Sequence, residues 1–218
     1  MEYYVGLSLA PAATIETGVA VLDANNTLIM VDKLFTMKDV QYFFDNFSSL
    51  KNSKICISLP WDNTLMTGKW RILSKPYQLL NTSNKMDFIN VDNWLQRFSS
   101  RGSDYFTSLI EEGVDISRFD LYLSKLKLNL YSNYKLRSPA DCKFLQNILK
   151  TEFGFSDIPS NMMPVGVLES IIGALLAREK SLNNTEKLYA FSGVDVINVL
   201  NTDSVQRGSL IHQASGIG

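Results

Sequence analysis

The stretch YYVGLSLAPAATIETGVAVLDANNTLIMV, residues 3–31, decides the fold. Tyr3 to Leu9 and Thr17 to Leu22 are short runs dominated by aliphatic, aromatic and β-branched residues, the composition of strands. Asp23-Ala24-Asn25-Asn26 between the second and third runs is turn chemistry, because Asp and Asn bond to their own backbone and tolerate left-handed conformations. Thr27 to Val31 then reads as a third strand, and the three form an antiparallel meander. Outward from it, Met37, Val40, Phe44, Phe47 and Leu50 recur at helical spacing. Lys54 to Leu59 (KICISL) is a nearly continuous apolar run of the kind that fits a central strand buried on both faces. Pro60 ends it, since proline cannot donate to the ladder.

Beyond Pro60 the pattern loosens. Residues from about 62 to 115 read as an insertion of irregular structure, with a strand near Lys69 to Leu73 and short helices over Val91–Ser99 and Asp104–Glu112. Phe119 to Asn129 (FDLYLSKLKLN) alternates apolar and polar residues and reads as a strand, although Leu121, Leu123, Leu126 and Leu128 do not keep strict period two. Ser138-Pro139-Ala140-Asp141 is a helix start: Ser138 caps, Pro139 suits the first helical position, and Asp141 favours the positive end of the dipole. Gly154 ends that helix. Pro164 opens another that runs to about Ser181, with a stripe of Val165, Leu168, Ile171, Ile172, Leu175 and Leu176 beside the small residues Gly173, Ala174 and Ala177. That is a helix packed closely on a sheet. Leu188 to Phe191 is the last core strand expected. The order of elements predicts an α/β domain over residues 1–201, with a loosely ordered tail at 202–218.

The chain has 218 residues, 45% hydrophobic and 20% charged, with a formal net charge of -1. This is the composition of a folded core and argues against a strongly basic nucleic-acid binder. Cys56 and Cys142 each sit in an apolar pattern, which predicts buried free thiols, a reducing compartment and a cytoplasmic location. The first strand begins almost at Met1, leaving no room for a signal peptide, and no apolar run reaches the ~18–20 residues that span a bilayer. No membrane partner is expected.

Three pieces of sequence carry a resemblance. They are Gly6-x-Ser8-x-Ala10 on the first strand, Ile57-Ser58-Leu59-Pro60-Trp61 at the end of the fourth, and Glu169-Ser170-Ile171-Ile172-Gly173-Ala174-Leu175-Leu176-Ala177 on the late helix. Together with the order strand, strand, strand, helix, strand, then helices, they resemble the RNase H-like superfamily, and more narrowly the resolvase-related domain-of-unknown-function family 429. The resemblance covers about half the chain. It implies a mixed sheet, an antiparallel three-strand meander followed by parallel strands, flanked by helices. In that family the three motifs usually read Gly-x-Asp-x-Ala, Ile-Asp-x-Pro and Asp-Ala-x-x-x-Ala-x-x-Ala, and in active superfamily members carboxylates from these places hold divalent metals. Ser8 and Ser58 stand at two of those places here, and Glu169 alone keeps a carboxylate. A Gly-x-Ser-x-Ala first strand also resembles, more faintly, the actin-like and sugar-kinase ATPases.

Ser8, Ser58, Asp62 and Glu169 are therefore the candidate site residues. A metal is not expected, because Mg²⁺ does not dehydrate for neutral hydroxyls alone. At most Asp62 and Glu169, with Asp23 or Glu16, would hold Mg²⁺ or Mn²⁺ for phosphodiester hydrolysis. Otherwise Ser8 and Ser58 are small residues of adjacent buried strands, Glu169 a solvated residue in the first turns of its helix, and Asp62 a turn residue. His212 lies in the tail, so a Ser-His pair is not expected. Lys125, Lys127, Tyr131, Tyr134, Lys135 and Arg137 interleave cations and aromatics within thirteen residues. They are either a nucleic-acid patch or a solvated basic face, as are Lys69, Trp70, Arg71 and Lys75. The reading that follows is a non-catalytic or catalytically altered binding or scaffolding domain, with protein or nucleic acid as partner. A metal-dependent nuclease and a small-ligand-binding domain are the alternatives.

Overall fold

A computed structural model describes residues 2–10, 15–58, 105–135, 137–191 and 194–200. The strands are β1 (Tyr3–Ser8), β2 (Thr17–Asp23), β3 (Leu28–Leu34), β4 (Ser53–Ser58), β5 (Asp115–Phe119), β6 (Thr185–Phe191) and β7 (Val194–Val199). The helices are α1 (Met37–Asn46), α2 (105–111), α3 (Leu121–Lys127), α4 (Pro139–Thr151) and α5 (Val165–Ser181). The strands form one mixed sheet in the order β3-β2-β1-β4-β5-β7-β6. β1 to β3 are the expected antiparallel meander. β1, β4, β5 and β7 are parallel, and β6 returns antiparallel to β7. The chain is an α/β fold with helices on both faces of the sheet.

The first hairpin forms because the turn holds itself. Asp23 Oδ1 accepts from Asn25 N at 2.9 Å and Thr27 N at 2.8 Å, and Asn26 sits at φ 65°. β3 runs three residues past the expected Val31. Thr36 and Asp39 then close a capping box that starts α1. Val5, Leu7, Val19, Val21, Ile55 and Ile57 on one face of the sheet pack against Met37, Val40 and Phe44 of α1 and Phe106 of α2.

The other face belongs to α5, α4 and α3. α5 runs antiparallel to β1: Glu169 lies at the carboxyl end of that strand, while Ser181 Oγ donates to Tyr4 Oη at 3.1 Å near its start. The approach is very close. A Cβ at Gly6 would lie 1.9 Å from the Ser170 carbonyl oxygen, and one at Gly18 would lie 2.0 Å from that of Gly166. Only glycine fits at these points. α4 starts as its sequence predicts, with Ser138 accepting from Asp141 N and Pro139 in the first turn. Gly154, at φ 75°, follows its end.

Residues 119–129 are not one strand. The strand is Asp115–Phe119, and the chain turns helical at Asp120, whose Oδ1 accepts from Leu123 N at 3.0 Å and whose carbonyl accepts from Ser124 N at 2.9 Å. Of the leucines that suggested alternation, Leu121 and Leu128 lie seven residues apart on the helical face in the core, while Leu126 is exposed. Leu188 to Phe191 is also not the last strand, since β7 follows it and inserts between β5 and β6. The expected strand near Lys69, the helix at Val91–Ser99 and the tail at 202–218 lie outside the described residues. Among the described residues no helix is long and apolar enough to cross a membrane.

Candidate functional site

The parallel register aligns Ser8 of β1 with Ser58 of β4, and Ser58 with Phe119 of β5, at the carboxyl ends of three neighbouring strands. In-register neighbours of a sheet point to one face. Phe119 belongs to the core around α5, so all three face that helix. Ser8 and Ser58 are 1% and 0% exposed.

Glu169, in the second turn of α5, is 3% exposed and is not a solvated helix residue. The close seating of α5 on β1 brings it over the strand end, where Ser8 Oγ donates to Glu169 Oε2 at 3.2 Å. Two neighbours fix the frame. Glu16 Oε1 accepts from Gly166 N at 3.3 Å, supplying the N-terminus of α5 with the acceptor that Pro164 cannot provide, and Thr17 Oγ1 accepts from Ala10 N at 2.9 Å.

Of the expected residues, Ser8, Ser58 and Glu169 converge, with Glu16 beside the helix they share. Asp23 does not join them. It pairs with Tyr3 at the far end of β1, about 16 Å of strand away from Ser8, and its carboxylate holds the β2–β3 turn. Asp62, His212, Lys69, Trp70, Arg71 and Lys75 lie outside the described residues.

A divalent metal does not fit what is described. No group of three or more His, Cys, Asp or Glu side chains converges among the described residues. Among the described residues, Mg²⁺ or Mn²⁺ at this place would find two buried hydroxyls and one carboxylate that already accepts a hydrogen bond from Ser8. Such a donor set is too neutral to replace the hydration of a hard cation.

The residues of the basic segment differ in exposure and pairing. Lys125, on α3, is 3% exposed, with Nζ 5.4 Å from the centre of the Tyr131 ring. Lys127 is ion-paired with Glu186. Arg137 takes φ 61° and donates its backbone N–H to Asp141. Tyr134 and Lys135 are exposed.

What the sequence did not signal is polar burial on α3. Leu121, Ser124, Lys125 and Leu128 occupy the i, i+3, i+4, i+7 positions of one helical face, so the pattern was readable once the segment was known to be a helix. Cys142 Sγ lies near this place. Burial pushes its pKa up, with the carboxylates of Asp141 and Glu169 adding to the rise and the cations of Arg137 and Lys125 opposing it.

At the opposite end of the sheet a cleft of about 470 Å³ is lined by Glu2, Lys51, Asn52, Ser53, Lys54 and Asp115. Three of its charged residues, Glu2, Lys54 and Asp115, are ion-paired. Lys54 pairs with Glu2 at 3.0 Å, and Lys180 Nζ reaches Asp115 at 2.5 Å and Ser117 Oγ at 2.7 Å. The bond from Lys54 lowers the pKa of Glu2, and the bond to Glu2 raises that of Lys54. This is a structural charge network at the amino ends of the strands, remote from Ser8. Comparison with protein-family models, with curated proteins and with solved structures finds no match to this chain.

Proposed function

We propose that the chain is an RNase H-like domain of the resolvase-related kind its motifs resemble, with its metal chemistry lost or replaced, and that it acts as a binding or scaffolding module. The observation that carries this reading is the Ser8–Glu169 hydrogen bond at 3.2 Å, buried beside Ser58 at the carboxyl ends of β1 and β4. These are the strand ends and helix from which active relatives would present metal-binding carboxylates. The element order β1-β2-β3-α1-β4 also agrees with the resemblance. A neutral hydroxyl donating to the one remaining carboxylate satisfies it without a cation. Open α/β sheets commonly bind ligands at the carboxyl ends of their strands, which makes this end the binding surface. The two cysteines are free and buried, in keeping with a cytoplasmic location.

Calorimetric titration with Mn²⁺, beside cleavage assays on single-stranded, duplex and branched DNA and RNA, tests the reading. It expects no micromolar metal binding and no cleavage. Micromolar Mn²⁺ binding that Glu169→Ala abolishes would restore the nuclease reading.

A further inference from the structure

On its inner face α3 carries Leu121, Ser124, Lys125 and Leu128. The two leucines lie in the core around α5. Between them sit a serine and a lysine that are 0% and 3% exposed. Buried charges in folded proteins are normally paired, because an isolated one forfeits its hydration without return. Among the described residues no carboxylate lies within ion-pair reach of Lys125; its ammonium lies against the Tyr131 ring. Ser124 Oγ has no hydrogen-bond partner among them either. α3 follows the carboxyl end of β5 directly, so both side chains stand at the same end of the sheet as Ser8, Ser58 and Glu169.

We infer that Lys125 anchors a site for the phosphate group of a small molecule, with Ser124 as a neutral hydroxyl donor. This rests on reading that end of the sheet as a binding surface, and it names the ligand's chemistry. An ammonium is a compact point charge with three donors, suited to a phosphate oxygen, whereas a carboxylate is better matched by the planar fork of an arginine. Recession favours a small ligand over a nucleic-acid strand. A strand's phosphates are gripped by projecting cations, and the nearby Lys127 is already tied to Glu186.

Inorganic phosphate titrated into the full chain in EDTA buffer tests the site. Wild type binds, Lys125→Met weakens binding at least about tenfold, the loss of one charge-assisted contact, and Ser124→Ala weakens it less. With phosphate absent, Lys125→Met melts no lower than wild type, since a recessed charge with no ion-pair partner among the described residues has been removed. A second measurement needs no variant: phosphate slows chemical acetylation of Lys125 in the wild-type chain and leaves that of exposed Lys135 unchanged. Equal phosphate binding by wild type and Lys125→Met overturns the inference. So does acetylation of Lys125 that phosphate does not slow, or that a single-stranded oligonucleotide slows more than phosphate does. Failure of the binding-module reading shows separately, as Mn²⁺ binding or cleavage, neither of which is read in EDTA.

Discussion

Gly6→Ala is the sharpest test of how this molecule is held together. The added Cβ would lie 1.9 Å from the Ser170 carbonyl oxygen, 2.1 Å from Ala174 N and 2.7 Å from the Gly173 carbonyl carbon. All three are backbone atoms of α5, so no side chain can rotate away. To reach the 3.4 Å of ordinary contact, helix and strand must separate by about 1.5 Å. That opens the interface through which Ile171, Ile172, Leu175 and Leu176 are buried. Ordinary overpacking costs about 1–3 kcal/mol, and a clash that a rotamer cannot relieve belongs at or above the top of that range, about 3 kcal/mol. Gly113→Ala is the control. Nothing lies within 4 Å of its Cβ, but φ is +87°, so its cost is conformational, about 1–2 kcal/mol. Urea unfolding of both variants, followed by far-UV circular dichroism, gives the comparison. If Gly6→Ala costs no more than Gly113→Ala, the close helix–strand contact is not what holds α5 in place, and the account of Glu169 given above loses its basis.

Three other outcomes are expected. Ser138→Ala removes the cap of α4 and lowers stability by about 1 kcal/mol; a chemical-denaturation midpoint unchanged at constant m-value would contradict the cap. Burial raises the thiol pKa of both Cys56 and Cys142 in the folded chain, so above about 8.5 the unfolded chain loses protons that the folded one keeps. Stability is then unaffected by the thiols below that pH and falls as pH rises above it, by up to about 1.4 kcal/mol per pH unit for the fully buried Cys56. Cys56→Ala should make the decline between pH 8.5 and 9.5 shallower, and an identical slope in both proteins refutes the assignment. Ser8→Asp combined with Ser58→Asp places two further carboxylates beside Glu169. This variant should melt below wild type in EDTA and be raised by several degrees in Mn²⁺, an effect absent from wild type. If the metal leaves the double variant's melting temperature unmoved, position 8 and position 58 are not former ligand positions.

The parts of the fold that could be read from sequence are those with local causes. The first hairpin is written in the Asp23–Asn26 turn and the strand-like runs around it, and α4 in Ser138, Pro139 and Gly154. The parts that could not be read depend on partners far along the chain. Leu121, Leu123, Leu126 and Leu128 fit neither period cleanly, and one residue, Asp120, decides for a helix by accepting from Leu123 N. β7 lies inside the sheet rather than at its edge because it pairs with β5, some eighty residues upstream, and nothing in Val194–Val199 itself announces that. The site divides in the same way. Ser8, Ser58 and Glu169 were visible as motif positions, but the burial of Glu169 was not, and Ser124 and Lys125 could not be recognised while their segment read as a strand.

Gly6 and Ser8 lie two residues apart on one face of β1, and their contacts on α5, Ala174 and Glu169, lie five residues apart along the helix. Two strand residues and five helix residues cover nearly the same length, about 7 Å. The glycine that lets the helix come down therefore also sets Glu169 onto position 8. With the helix this close, the residue at position 8 must either share a cation with Glu169 or donate a hydrogen bond to it. An aspartate there with no metal would bury two like charges against each other, which raises one carboxyl's pKa or forces the elements apart. Serine is the smallest residue that supplies a donor, so the close packing that the glycines permit and a neutral donor at position 8 are parts of one arrangement. It follows that Gly6→Ala should also lengthen the Ser8–Glu169 contact. A variant that is strongly destabilised yet keeps that hydrogen bond intact would separate the two and remove the physical link between fold and site.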